Sequence, residues 1–493
     1  MGVIQRQGIK SSVVIYFGLI IGYVNSTILF PTFLGKEYYG LLQTILAATL
    51  ILVQFVKLGS NNIIIKFFPA FRDDENGHNG LLAFSLLFPL IGIALLLISI
   101  NFFKGPLIDY YEVKAPLISA YYYLIIPLTV AYVYMEVLAA FTRSILKAVV
   151  PAMIREVYIR IMITLCIIGY ILQIYELTGF LWVITASYLS APIVNLIYLK
   201  YLKQLHLKSK WEYFSKSLVK QMVNYTGFVF LGNTAVTITA RIDIVMLTHL
   251  LGDLALSGIY AFGMYVSTVV HIPMRALNQI TDPIISRACE ENDLEEIKSV
   301  YKQSSINLLL TGSFVFVGIW CNVHNIFNLM PDFKEGIWVI LWLSLAKLFD
   351  MATGCNSAII ANSKFYKYTL YSNVVLMIIT VISNFYFIEA YGLTGAAMAT
   401  GLSIFLFNVF KMLVVAFGFR IQPFSYKTLI LIGLTLSTIY LQSFIPVFEN
   451  AFIDIAIRSI AITLFFCPIA YALKISKEIN DIIDDKFLSR IKG

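Results

Sequence analysis

The stretch that decides the fold is YGLTGAAMAT, residues 391–400, because YELTG at 175–179 repeats four of its first five letters. Tyr175 and Tyr391 lie about 216 residues apart, and other pairs keep that spacing. FLGKEYYGL at 33–41 matches LLGDLALSGIY at 250–260, setting Gly35 against Gly252 and Gly40 against Gly258. Lys147 and Lys364 are about 217 residues apart. Each pair holds the same place between apolar runs, so the chain reads as one unit built twice.

The repeated unit is made of membrane spans. Of 493 residues, 59% are hydrophobic and only 13% charged, too little polar surface for a water-soluble domain. About 14 apolar runs are long enough to cross a bilayer, at approximately 11–34, 40–65, 81–103, 117–141, 157–174, 180–199, 223–249, 255–281, 305–330, 337–361, 368–388, 393–416, 428–444 and 452–473. The expected fold is therefore an all-α polytopic membrane protein. A six-helix lobe (1–199) is followed by an amphipathic linker (200–222), a second six-helix lobe (223–416), two further helices (417–473) and a tail (474–493). Six spans per lobe give both lobes one orientation, with a pseudo-twofold axis along the membrane normal. Transporters whose lobes rock about a central site share that plan.

Placing both termini in the cytoplasm puts roughly 25 of the 36 Lys and Arg on the inner side, leaving Lys36, Lys104, Lys114 and Lys334 outside. This topology accounts for the net charge of +8, and no nucleic-acid partner is expected. Arg6 and Lys10 precede a first run too long for a removable signal peptide. Five scattered cysteines suggest neither disulfides nor a metal site. Two stretches are amphipathic: Trp211, Phe214, Leu218 and Met222 in the linker, and Ile475, Ile479, Ile482, Ile483 and Phe487 in the tail. Both are expected to lie in the membrane interface.

Charges within spans are costly and mark surfaces that do not face lipid. Gln43, Gln54, Lys57 and Asn61 form one stripe, and Thr268, His271, Arg275, Asn278 and Asp282 another. Asn233, Thr237 and Arg241 line a third, with Asp243 beside it. Thr129, Tyr132, Glu136 and Arg143 share a face, as do Lys347, Asp350, Gly354 and Ser357. Lys57 and Arg275 obey the repeat spacing, so each half holds one cation at an equivalent position. Two symmetric cations facing a cavity suit a phosphate or pyrophosphate; snorkelling to the cytoplasmic interface is the other reading. Lys347 and Asp350 either line the cavity or neutralise each other at i, i+3. Arg241 and Asp243 either contact substrate or bridge to another helix. Glu136, Asp243, Asp350 and His271 are candidates for carrying a coupling proton. Arg160, Lys411 and Arg458 lie on no stripe and read as structural. No Walker loop, Rossmann fingerprint or HExxH is present, so neither an enzyme nor an ATP-driven pump is expected. The only small species called for is a coupling ion, H+ or Na+.

The segments GYVNSTILFPTFLGKEYYGLLQTIL, RIDIVMLTHLLGDLALSGIYAF, PMRALNQITDPIISRACEENDLEEI and YGLTGAAMATGLSIF resemble the polysaccharide-transporter branch of the multidrug/oligosaccharidyl-lipid/polysaccharide exporter superfamily. The resemblance implies a flippase of the bacterial inner membrane. It would move undecaprenyl-pyrophosphate-linked glycans by alternating access, for O-antigen, capsule or exopolysaccharide assembly. It also implies that Lys57 and Arg275 face a central cavity, with Arg241 and Lys347 as secondary cations, and that the last two helices border a lipid groove. Expected partners are the lipid-linked oligosaccharide, membrane lipids, a polysaccharide polymerase and a chain-length regulator. The alternative is an ion-coupled drug or metabolite exporter of the same superfamily.

Overall fold

Two glycines mark where long helices turn. An α-helix rises about 1.5 Å per residue against a hydrocarbon core of about 30 Å. Neither Val13–Lys57, with 45 residues, nor Lys367–Phe419, with 53, is therefore one straight crossing. Each breaks at a glycine with positive φ: Gly35 (φ 70°, ψ 173°) and Gly392 (φ 57°, ψ −132°), conformations that a Cβ disfavours. Gly392 lies inside the YGLTG motif. In the earlier copy, Glu176 is extended (φ −80°, ψ −178°) between helices Ile159–Ile171 and Leu177–Tyr201. Both copies of the motif thus make a corner.

The computed structural model describes residues 3–208 and 210–485, without the side chains of 3–12, 228, 482 and 483. Phe487 and the side chains of Arg6, Lys10, Ile482 and Ile483 lie outside the described residues. Every element among the described residues is helical. Helices satisfy their own backbone hydrogen bonds, which is what an apolar solvent demands. Among the described residues, length and apolarity pick out ten spanning segments, where the apolar runs count about 14; two of the ten, Val13–Lys57 and Lys367–Phe419, run through a glycine break.

By packing, the chain divides into residues 1–261 and 262–493. In the first unit a core of Val53, Val56, Ile64, Phe68, Val137, Leu138 and Phe141 joins Phe30–Lys57, Ser60–Phe71 and Ile125–Ser144. Lys216–Leu251, which the repeat assigns to the second lobe, packs here along Phe30–Lys57. Thr44 and Thr248 share a hydrogen bond of 2.8 Å. The crossing beside it is reciprocal. A Cβ on Gly40 would lie 1.8 Å from the Leu254 carbonyl oxygen, and one on Gly258 would lie 2.0 Å from that of Lys36. Leu254 is the repeat partner of Lys36, as Gly258 is of Gly40. Reciprocal contact between equivalent residues is the mark of a twofold axis, and small residues permit it.

The linker differs from the interfacial helix expected. Ser215 caps a helix that runs unbroken over Lys216–Leu251, and only Trp211–Tyr213 forms a separate turn. The apolar face packs on protein: the Phe214 ring is 4.7 Å from Phe84 and 5.1 Å from Phe71, and Met222 is buried. The tail behaves similarly. Ile475 is buried and Ile479 packs against the same cluster of Leu309, Leu431 and Phe466. Periodicity reveals an apolar face without revealing what covers it.

In the second unit, Asp293 caps helix Leu294–Cys321, and Glu295 and Glu296 favour the positive end of its dipole. The last two long helices, Tyr426–Leu441 and Ala451–Ala472, pack on it through Leu431, Leu434 and Phe466. Arg458 braces them. It donates to Asp454 at 2.6 Å and to the backbone carbonyls of Gln442, Ile445 and Pro446, while Asn325 donates to the same carboxylate.

Candidate functional site

Lys57 ends its helix because Leu58 (φ 47°) and Gly59 (φ 73°) are left-handed; a new helix starts at Ser60, whose hydroxyl donates to the Lys57 carbonyl. The Lys57 side chain is 6% exposed, and its Nζ donates to Glu136 Oε2 at 2.7 Å. Glu136 comes from Ile125–Ser144 and is 27% exposed. Gln54, one turn before Lys57, is buried, and Asn61 accepts from Asn62 at 3.3 Å. Two turns before Glu136, the buried Thr129 hydroxyl has no hydrogen-bond partner among the described residues.

The second unit repeats this connection with different chemistry. His271 Nε2 lies 2.8 Å from Asp350 Oδ2, joining Val269–His271 to helix Ile337–Ala352. Lys57–Glu136 and His271–Asp350 both span 79 residues. Relative to the strict repeat, the second pair is displaced by one helical turn. Its carboxylate is also shared, since Lys411 Nζ lies 3.8 Å from Asp350 Oδ1. Lys411 is buried, donates to Ser357 at 3.1 Å and sits 4.2 Å from the centre of the Phe407 ring. Asn408, one turn before it, accepts from Thr353 at 3.2 Å. Lys347 donates to Thr268 at 2.7 Å.

The remaining expected residues divide. Arg275 is exposed one turn beyond His271, with no hydrogen-bond or ion-pair partner among the described residues. Asn278 is half-buried and Asp282 exposed, so that stripe runs from a half-buried pair to an open end. Arg241 is half-buried, and Thr237 donates to the Asn233 carbonyl at 3.0 Å. Asp243 is buried and accepts from Tyr260 at 2.5 Å, a bond internal to the first unit. Asp350 holds His271 and Lys411, while Lys347 donates to Thr268.

The sequence reading set Lys411 aside as structural, and the structure pairs it with Asp350. Its signal was Asn408 at i−3, a two-member stripe too short to stand out. With Lys411 included, the second unit gathers Lys411 and His271 about one carboxylate, with Lys347 on Thr268 and Arg275 a turn beyond His271. A buried charge is tolerated when paired, and a carboxylate that holds a cation can yield it to an incoming anion. Lysine meets phosphate oxygens as a point charge and arginine as a planar fork.

The family model for polysaccharide biosynthesis proteins matches residues 5–277. An uncharacterized membrane protein of Methanocaldococcus jannaschii is 24% identical over 407 residues, 77% of this chain and 91% of that protein. Among solved structures, the inward closed conformation of the lipid II flippase MurJ superposes with a TM-score of 0.72 at 14% identity. That match covers 94% of this chain and 99% of the flippase. An inward-facing multidrug resistance MATE family transporter of the MOP superfamily gives 0.62 at 14% identity, over 81% and 94% of the two chains. These likenesses establish the fold of a polytopic all-helical membrane protein, and the match over more than half its length makes this chain a member of the polysaccharide biosynthesis protein family.

Proposed function

We propose that this protein flips polyprenyl-pyrophosphate-linked oligosaccharides, undecaprenyl being the expected carrier, across the cytoplasmic membrane by alternating access. The observation that carries the reading is the pair of 79-residue connections, Lys57–Glu136 and His271–Asp350, one in each unit. Each holds a cationic or titratable group inside the membrane against a carboxylate. In this scheme phosphate oxygens displace Glu136 from Lys57, while Arg275, Lys347 and Lys411 are the cations of the second unit proposed to meet phosphate. The freed carboxylates Glu136 and Asp350 then accept the coupling cation, H+ or Na+, and its release restores the pairs. The exchange leaves Lys57 and Lys411 with an anionic partner throughout, which limits the cost of burying them. Arg241, Asn233 and Thr237 present a further polar face. The predominance of Lys and Arg in the segments assigned to the inner side supports cytoplasmic termini. The family supports a role in glycan assembly, where a polymerase and a chain-length regulator are the natural partners.

The test is translocation of undecaprenyl-pyrophosphate-linked oligosaccharide in proteoliposomes, read by lectin access. Lys57→Ala and Arg275→Ala are expected to slow it at least about tenfold, the loss of one charge-assisted contact, with insertion unchanged. Normal rates in both variants overturn the role of these cations. Absence of translocation by the folded wild type, together with proton-driven efflux of small cations, favours the exporter reading, for which Asp350 is the carboxylate to test.

A further inference from the structure

A cavity of about 900 Å³ lies in the first unit, and neither Lys57 nor Glu136 lines it. Small-molecule sites typically enclose about 300–1,000 Å³. Its wall is aromatic: Phe33, Tyr38, Tyr121 and Tyr170 surround it, with Gln173 and Glu176 at its edge. None of its lining residues is Lys or Arg. A pyrophosphate therefore has nothing to hold it there.

The polar groups are arranged to be used. Tyr121 is anchored by a 2.7 Å hydrogen bond between its hydroxyl and that of Thr178. Tyr175, also in the wall, is pinned by donation to the Cys166 carbonyl at 2.5 Å. By contrast the hydroxyls of Tyr38 and Tyr170, the Gln173 amide and the Glu176 carboxylate have no hydrogen-bond partner among the described residues. Gln173 takes a left-handed φ of 56° at the end of its helix, a place usually given to glycine. The cavity thus combines held rings with unused donors and acceptors.

The position is also informative. Leu177–Tyr201 starts at this cavity and ends, 25 residues later, beside Lys200 and Lys203. That length is about 37 Å, so the cavity lies at the end opposite the lysines, which the positive-inside rule makes the outer one. The repeat keeps the aromatic character. At offsets of about 216–217, Tyr121, Tyr170 and Tyr175 correspond to Trp338, Tyr386 and Tyr391, which are exposed in the second unit. The other two wall aromatics, Phe33 and Tyr38, fall opposite Leu250 and Leu256, so the repeat keeps three of the five.

We infer that this cavity is a carbohydrate-binding site on the outer face, holding pyranose rings of the glycan as the head group leaves the membrane. A pyranose offers one face of C–H groups and a rim of hydroxyls. Tyrosine rings stack on the former, while free phenol, amide and carboxylate groups take the latter. The inference rests on the flippase reading for its place in the cycle, but not for its chemistry.

The test uses the full chain in nanodiscs on an array of lipid-free hexose and N-acetylhexosamine oligosaccharides. The wild type binds at least one of them. Tyr121→Leu and Tyr170→Leu, which retain apolar volume, weaken binding about tenfold, as expected for one lost stacking contact. Tyr170→Phe retains most of it, and Glu176→Gln, at an exposed site where folding is not at stake, changes which oligosaccharide is preferred. A silent array, or binding unchanged in both leucine variants, overturns the site; the latter is what rings serving only as an interfacial aromatic belt would give. Array binding without translocation in proteoliposomes would remove the flippase reading and leave this site standing. Translocation with a silent array would do the reverse.

Discussion

Replacing Lys57 by Met breaks the ion pair of the first unit and leaves the Glu136 carboxylate without its cation. The two charged atoms are 2.7 Å apart. At an effective dielectric constant of about 20, Coulomb's law gives a gross attraction of roughly 6 kcal/mol. Glu136 is 27% exposed, and water at that side chain screens part of the field. Discounting by about half leaves roughly 3 kcal/mol, near the low end of the range of about 3–5 kcal/mol for breaking a buried pair. Lys57→Met and Glu136→Leu should therefore each destabilise the protein by about that amount. The double variant should lose less than the sum by roughly 3 kcal/mol, since an apolar pair leaves no orphaned charge. Thermal unfolding of the four proteins in one detergent measures the cycle. Additivity within about 0.5 kcal/mol, the behaviour of independent sites, would refute the pairing. Translocation separates structure from function, because Glu136→Gln keeps Lys57 and frees it for the head group. That variant should bind the pyrophosphate lipid more tightly than the wild type while Lys57→Met binds it less.

Three further outcomes follow from the geometry. Gly40→Ala and Gly258→Ala force a methyl onto a backbone carbonyl and should exceed the usual overpacking cost of about 1–3 kcal/mol, whereas Gly433→Ala, with nothing within 4 Å of its Cβ, should be near neutral; melting temperatures compare them. Arg458→Met strands the buried Asp454 and should cost about 3–5 kcal/mol, seen as faster proteolysis around residues 442–450, and Arg458→Met/Asp454→Leu should recover part of the loss. In the connection before Leu81, the Asn76 side chain and backbone N–H donate to Asp73 at 2.8 and 2.9 Å and hold its carboxyl below the usual carboxylate range. The local order that these bonds give is thus full above the ordinary carboxylate pKa and lost as pH falls through the lowered one. An NMR titration should find the Asp73 midpoint raised in Asn76→Ala.

The duplication was legible because it rests on local chemistry. Gly35 and Gly392 stand where the backbone needs a conformation that side chains disfavour, and apolar runs of spanning length announce themselves. Lys57, His271 and Asp350 were legible as costly charges on polar stripes. Their partners were not. A stripe states which residues share a helix face, whereas the 79-residue connections depend on how helices are rotated against one another. Lys411 was read as structural without a partner for that reason, its partner Asp350 lying on another helix. The aromatic cavity escaped because its rings come from segments far apart in the chain, at residues 33–38, 117–121 and 170–178, each unremarkable alone.

The sequence by itself determined that this is a membrane protein, that several residue pairs recur at a spacing of about 217, and where charges interrupt its apolar runs. Those properties follow from transfer free energies and backbone sterics, which act residue by residue. Tertiary structure alone decided which carboxylate neutralises which cation, that the linker face covers protein, and that scattered tyrosines enclose one space. These depend on distances between segments far apart in the chain, and periodicity along a helix carries no information about what the neighbouring helix presents.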